Sequence, residues 1–332
     1  MPNRVVVTGA TGFVGSALYF TLNLIPDYEV TGVCRTLPSA LNAASALKAE
    51  NIVGLGDLET ADFLPVLKDV DVVIHTAGRA HVSGEDKLKA LADFRRTNVG
   101  GTLNLARQAV EAGVKRFVFI SSIGVNGGST KGDTMFSETD LPQPHTPYAL
   151  SKLEAEVELQ KLCQESGMEL VIVRPPLIYA AHAPGNFGKL LKAIGKSVPL
   201  PFALVKNQRS FVALENVVDF IIHCATHPNA ANETFLIADN EHLSTPELCR
   251  FVSAGMGRSP ILWPVPVMFM NFGAKLMGKK AMFEQLCGSL LVDNSKARTM
   301  LGWQAPMTAA EAMARTGQQL ISSQPKKLEK YV

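Results

Sequence analysis

Apolar residues come in short unbroken runs, separated by longer stretches where they recur every three or four positions. Arg4–Thr8 (RVVVT), Glu29–Cys34, Ile52–Leu55, Val70–His75, Arg116–Ser121 and Glu169–Arg174 are runs of the first kind. A β-branched run with no polar alternation marks a strand covered on both faces. Phe13–Leu24, Ser39–Lys48, Asp86–Ala112 and Pro147–Ser166 carry the helical period instead. Strands alternating with helices imply right-handed crossovers and a parallel sheet. The expected fold class is α/β, a doubly wound parallel sheet that the sixth strand completes.

After Pro175 and Pro176 the alternation weakens. Two further βα pieces stand out, Ser210–Thr226 and Thr234–Ala238, the latter followed by a helix opening at Ser244-Thr245-Pro246-Glu247. That tetrapeptide offers an N-cap, an early proline and a capping glutamate. A smaller α/β C-terminal lobe over the carboxyl edge of the sheet is expected. The longest apolar stretch, Ile261–Met277, is broken by Pro264, Pro266 and Asn271. A membrane span needs about 20 apolar residues, so the stretch reads as a core-facing helix, with a membrane-surface contact as the lesser alternative.

The chain has 332 residues, of which 47% are hydrophobic and 19% charged, enough for two packed lobes. A net charge of +2 supplies no field for nucleic acid or an anionic membrane, though local arginines can hold a small anion. Cys34, Cys163, Cys224, Cys249 and Cys287 show neither zinc nor disulfide spacing. No metal is expected. Reduced thiols and the lack of a signal-peptide layout in MPNRVVVTGATG point to the cytoplasm.

Candidate chemistry begins with Thr8-Gly9-Ala10-Thr11-Gly12-Phe13-Val14-Gly15, directly between the first strand and the first helix. Glycines there allow a tight turn and bring backbone amides close to a pyrophosphate at the helix N-terminus. The second strand ends in Val33-Cys34-Arg35-Thr36, without the carboxylate that bonds an NAD ribose. Arg35, helped by Thr36 and Ser39, suits a 2′-phosphate, which favours NADP over NAD; otherwise Arg35 stacks on the adenine or meets solvent. Asp57 either bonds the adenine amino group or caps the helix near Thr60.

Tyr148 and Lys152 lie four residues apart at the start of a helix and share one face. An ammonium beside a phenol favours phenolate, so the Tyr148 pKa is expected to fall and give a usable acid or base. Ser121 and Ser122 end the fifth strand, where a hydroxyl polarises the oxygen that Tyr148 protonates; as bare sequence they are also ordinary turn residues.

Together TGATGFVG, GDL (Gly56–Leu58), HTAG (His75–Gly78), NVGGT (Asn98–Thr102), FISSIGVNG (Phe119–Gly127) and YALSK (Tyr148–Lys152) resemble the extended short-chain dehydrogenase/reductase family, NAD-dependent epimerase/dehydratase branch. The resemblance implies a Rossmann-like sheet domain over residues 1–178 that binds the dinucleotide and takes back segments of the second half. It also implies a nucleotide-sugar lobe over 179–317, a polar tail over 318–332 and a homodimer. Catalytic Ser122, Tyr148 and Lys152 follow from it, with Ser122 chosen because VNG aligns with the family's VYG. Gly9, Thr11, Gly12, Phe13, Val14, Gly15, Arg35, Asp57, Leu58, Thr76, Ala77, Gly78, Asn98, Ser121, Tyr148, Lys152, Pro175 and Leu177 would contact the cofactor. His81, Ser122, Tyr148, Asn186, Leu200, Arg209 and Ser289 would contact the sugar nucleotide.

The stretch from Arg79 to Val82, with NF, NQRS and LCGSL, most resembles bacterial enzymes acting on uridine-diphosphate N-acetylated amino sugars. The implied chemistry is hydride transfer at carbon four of a UDP-sugar: most of all reduction of a 4-keto hexosamine, with 4-epimerisation on bound NAD as the alternative. A non-catalytic dinucleotide sensor and a steroid or flavonoid dehydrogenase are the rivals.

Overall fold

The computed structural model describes residues 2–37, 51–80 and 87–322. His81 and the expected Ser39–Lys48 helix lie outside the described residues. The strands are β1 Asn3–Thr8, β2 Tyr28–Cys34, β3 Ile52–Gly54, β4 Val72–His75, β5 Arg116–Ile120, β6 Glu169–Arg174, β7 Leu177–Tyr179, β8 Arg209–Ala213, β9 Glu233–Leu236 and β10 His242–Leu243. Seven form a parallel sheet in the order β3-β2-β1-β4-β5-β6-β9. This is the expected Rossmann-like α/β sheet. Its order turns about β1 and β4, which opens a crevice at their carboxyl ends.

The unbroken apolar runs have a direct explanation in the packing. Val5 and Val7 belong to one core cluster while Val6 belongs to the other; Val118 and Phe117 divide likewise, as do Val171 and Ile172. Successive side chains point to opposite faces, and helices cover both. Phe13–Asn23 and Leu214–Thr226 lie on one face, Thr102–Glu111 and Pro147–Ser166 on the other.

Three expectations need correction. The sixth strand does not complete the sheet: β9 pairs with β6, from Val171 opposite Glu233 to Arg174 opposite Leu236. An open β6 edge would leave backbone donors and acceptors unpaired beside apolar side chains, and β9 closes it. The Asp86–Ala112 helix is not continuous over its described part. Lys87–Phe94 widens into a π-helical segment, Arg95–Gly101, before Thr102–Glu111 resumes. The wide turn lets Gly101 press against the Leu58 side chain and turns Asn98 inward, where it is buried.

The third correction concerns Ile261–Met277, which is not a core helix. Pro264 and Pro266 delay helix formation until Val267, leaving only Val267–Leu276. So short a helix docks by a narrow face, and Ala274 is its sole buried residue.

The smaller lobe holds a second sheet, β10-β8-β7. Tyr179, Phe187, Leu191, Phe211, Leu248 and Met313 pack beneath it. The capping box forms as expected: the Ser244 N–H donates to the Glu247 carboxylate at 2.8 Å, and Ser244 Oγ accepts from the Glu247 N–H at 3.4 Å. The last helix, Ala309–Ser322, runs through Gln318 and seats Gly317 against the Val252 carbonyl.

Candidate active site

The sheet gathers the glycine turn, Arg35, Asp57, the Thr76–Gly78 turn and the serine pair because each follows the carboxyl end of a strand. Gly9 ends β1 with φ of 72°, a left-handed turn that glycine tolerates. A Cβ there would lie 2.8 Å from the Ala77 nitrogen and from the Thr76 hydroxyl, and one on Gly15 would strike the Gly9 carbonyl. The Ala10 N–H donates to the Val33 carbonyl at 3.1 Å, and the Gly12 N–H to the Gly9 carbonyl at 2.7 Å. The helix that starts at Phe13 has no side-chain cap, and Thr11 and Gly12 are exposed, an arrangement that could receive an anion at the helix N-terminus. Phe13 and Val14 are partly buried, the former 5.2 Å from the His182 ring.

Arg35 and Asp57 lie exposed at the ends of β2 and β3. No helix begins near Thr60 for Asp57 to cap: the chain makes a turn there, closed by the Asp57 carbonyl, which accepts from the Thr60 and Ala61 N–H groups, and the next helix opens only at Leu64. Leu58 offers its carbonyl to the Asn104 amide. Beyond β4, the Thr76 hydroxyl donates to the Thr8 carbonyl at 2.7 Å. Asn98 grips the Gly78–Arg79 turn on both sides: its Oδ1 accepts from the Arg79 N–H at 2.8 Å, and its Nδ2 donates to the Arg79 carbonyl and to Ser151 Oγ. Asn98 thereby acts on the cofactor crevice by fixing that turn.

At the end of β5, Ser121 Oγ is buried and has no partner among the described residues. The Ile123 N–H donates to the Pro175 carbonyl at 2.9 Å, tying the serine turn to the buried prolines that precede Leu177. Ser122 Oγ accepts from the Gly124 N–H at 3.1 Å, which leaves its own proton free to donate. A Cβ on Gly124 would lie 3.2 Å from the Ala149 Cβ, so the serine turn abuts the first turn of the Pro147–Ser166 helix. That helix is capped by Thr146, whose Oγ1 accepts from the Ala149 N–H at 3.1 Å. Tyr148 stands beside Phe94 at 5.9 Å, and its hydroxyl bonds to no described residue. Lys152 is buried, donates to the Ile120 carbonyl at 2.8 Å and lies over the Phe119 ring.

The expected fall in the Tyr148 pKa is not what the geometry gives. Burial pushes the phenol up to about 12. Lys152 aims its ammonium at the Ile120 carbonyl, and burial holds that ammonium down to about 8 against the pull of Glu156.

Two groups escaped the sequence reading because their partners are distant in the chain. Glu156 and Arg174 form a buried pair, with Nε to Oε1 at 3.0 Å, and Arg174 Nη1 also donates to Asn126 Oδ1 at 3.0 Å. The pair joins the helix of Tyr148 to β6 and to the serine turn. The one local signal was Glu156, a turn beyond Lys152. The other group is His75, fully buried between Thr8 Oγ1 at 2.6 Å and Thr102 Oγ1 at 2.9 Å. Burial first, and the Lys152 charge second, hold its pKa down to about 3.

The unfolded chain therefore binds the His75 proton between pH 6.5 and about 3 while the folded chain does not. Stability from this group is full above pH 6.5 and is lost as pH falls, by about 1.4 kcal/mol per unit. Urea unfolding across that window should show a shallower pH slope in His75→Gln; equal slopes would remove His75 from the acid response.

On the smaller lobe, Arg209 is buried, with Nη1 donating to the Gly288 carbonyl at 3.0 Å and Nε without a partner among the described residues. Burial lowers its pKa to about 10, and no described carboxylate pairs with it. Asn186 Nδ2 donates to Gln285 Oε1 at 2.9 Å, and Ser289 Oγ accepts from the Gln208 N–H at 3.1 Å. Leu200 is buried in the lobe core.

Sequence comparison decides the family, since the model of the NAD dependent epimerase/dehydratase family matches residues 5–238. The chain belongs to this family. A UDP-glucose 4-epimerase of Vibrio cholerae is 39% identical over 325 residues, covering 97% of both chains. Among solved structures of this epimerase/dehydratase fold, the UDP-glucuronic acid 4-epimerase of Bacillus cereus in complex with NAD aligns with a TM-score of 0.77 at 21% identity, over 96% of this chain and 98% of that one. The UDP-N-acetylglucosamine 4-epimerase of Bacillus cereus gives 0.75 at 19% identity, over 97% and 98%.

Proposed function

We propose that the protein is a 4-epimerase of uridine-diphosphate hexoses that retains its NAD. The observation that carries the diphosphate is Arg209. A buried guanidinium answered among the described residues only by carbonyls, with Nε unpartnered there, calls for an anion, and two phosphate oxygens match its fork. The Vibrio relative, named a UDP-glucose 4-epimerase, is similar along nearly the whole chain and supports the sugar nucleotide. Residues 179–317 would then form most of the sugar-nucleotide lobe.

The crevice suits a dinucleotide: Gly9 and Gly15 let the turn pack tightly on Thr76, Ala77 and its own carbonyl ahead of an uncapped helix N-terminus, and Ser121 Oγ is a buried hydroxyl without a partner among the described residues. NAD, when bound, supplies an acceptor and donor of hydride at carbon four. Tyr148 takes the proton of the 4-hydroxyl as hydride leaves that carbon, and returns it when hydride comes back to the opposite face. Ser122 donates its free proton to the same oxygen. Lys152 would favour the phenolate that Tyr148 needs once its ammonium turns from the Ile120 carbonyl toward the phenol. Arg209 holds the diphosphate while the hexose turns over.

A second reading rests on Arg35, exposed at the end of β2 where no carboxylate stands. It fits NADP, and with it reduction of a UDP-4-keto hexosamine. One experiment separates the two. The protein is incubated with UDP-glucose and, separately, UDP-N-acetylglucosamine, and the 4-epimers are followed by chromatography. Epimers without net cofactor change support the proposal. No epimer, together with stoichiometric NADPH oxidation on a UDP-4-keto sugar, establishes the reductase.

We also assign a homodimer face to a groove of about 500 Å³ lined by Val99, Leu103, Leu153 and Val157, rimmed by the Arg95–Glu154 ion pair. A monomeric mass in solution would refute it.

A further inference from the structure

The small net charge hides an uneven surface. From Arg258 to Phe283 the chain carries Arg258, Lys275, Lys279 and Lys280 and not one carboxylate. The same stretch exposes Ile261, Trp263, Met268, Phe269, Phe272, Leu276 and Met277, from 46% for Ile261 to 74% for Leu276.

A helix apolar on all sides is ordinarily buried. In Val267–Leu276, Met270 packs against the lobe core and Ala274 is buried on the same side, while Met268, Phe269, Phe272 and Leu276 share the opposite face by their spacing. Trp263 is held next to this helix by backbone pairing: its N–H donates to the Leu200 carbonyl at 2.8 Å, and its carbonyl accepts from the Ala203 N–H at 3.2 Å. The paired segment adds exposed Val198 and Leu204. Lys275 and Lys279 are exposed and make no ion pair with a described residue, whereas Lys280 pairs with Glu284 at 3.3 Å.

We propose that this face docks on an anionic phospholipid bilayer, with the aromatic and methionine side chains at the headgroup boundary and the lysines against lipid phosphates. Charge decides the occupant. In a two-fold contact the same patch meets itself, which would bring the cationic rims of two copies together with only Glu284, already paired to Lys280, to offset Arg258, Lys275 and Lys279. An apolar face rimmed by lysines and carrying tryptophan and phenylalanine matches an anionic bilayer instead.

The test uses the full chain with phosphatidylcholine vesicles, with and without phosphatidylglycerol. Cosedimentation is expected only with the anionic vesicles and should weaken with salt. The chain has two tryptophans. Trp303 is buried and bonded to Asp219, so a blue shift in emission on binding reports Trp263. Phe269→Glu with Phe272→Glu, and separately Lys275→Glu with Lys279→Glu, should each cut binding by about tenfold or more while circular dichroism and turnover are unchanged. Absence of vesicle binding, or binding indifferent to both pairs, overturns the proposal. So does self-association abolished by the Phe269/Phe272 pair, which would give the face to a second copy.

Discussion

Tyr148→Phe is expected to lower kcat by about 10²- to 10⁴-fold, the range a positioned acid/base supplies, while the cofactor stays bound. The reason is local. The Tyr148 hydroxyl bonds to no described residue, so the fold loses no hydrogen bond with it. The ring contact with Phe94 at 5.9 Å survives the change. The cofactor crevice is built by the glycine turn, the Asn98-gripped turn and Ser121, none of which needs the phenol. Turnover would be read by epimer formation and binding by nucleotide released on denaturation. An unchanged rate would remove Tyr148 from the chemistry; lost binding would show a structural role.

Glu156→Ala should destabilise the protein by about 3–5 kcal/mol, the cost of stripping one partner from a buried ion pair. Glu156 and Arg174 side chains are only 2% and 7% exposed. Once Glu156 is gone, Arg174 keeps Asn126 but has no anion. The double variant Glu156→Leu with Arg174→Met, which removes both charges, should recover most of the loss, because well-packed apolar pairs replace buried ion pairs at little cost. Urea unfolding reads both. A single-variant loss below about 1 kcal/mol would mean that water reaches Arg174.

Much of the fold is visible in the chain because a buried parallel strand has a pattern of its own. Six of the seven sheet strands lie in apolar runs, where helices on both faces demand apolar residues at every position. β9 is harder to read: it opens on Glu233 and Thr234, and a long excursion through the smaller lobe separates it from β6. Ile261–Met277 misleads in the other direction. Apolar residues say how costly exposure to water is, not that a core will be found for them. At the site, the glycine turn, the serine pair and YALSK are local motifs and legible as such. Thr8 with His75 and Thr102, or Glu156 with Arg174 and Asn126, are alliances of single residues far apart in sequence, and no local period announces them.

The late arrival of β9 bears on how the chain comes off the ribosome. A nascent segment ending at residue 178 lacks Phe220, Phe235 and Trp303, which belong to the same buried cluster as Val5 and Val171. It also leaves β6 as a bare edge, free to capture another strand. The sheet therefore closes only after much of the smaller lobe has been synthesised, and the two halves mature together. Cutting the gene at the apparent boundary would give a fragment prone to aggregate, whereas a cut in a surface loop beyond the β9 pairing would spare the sheet.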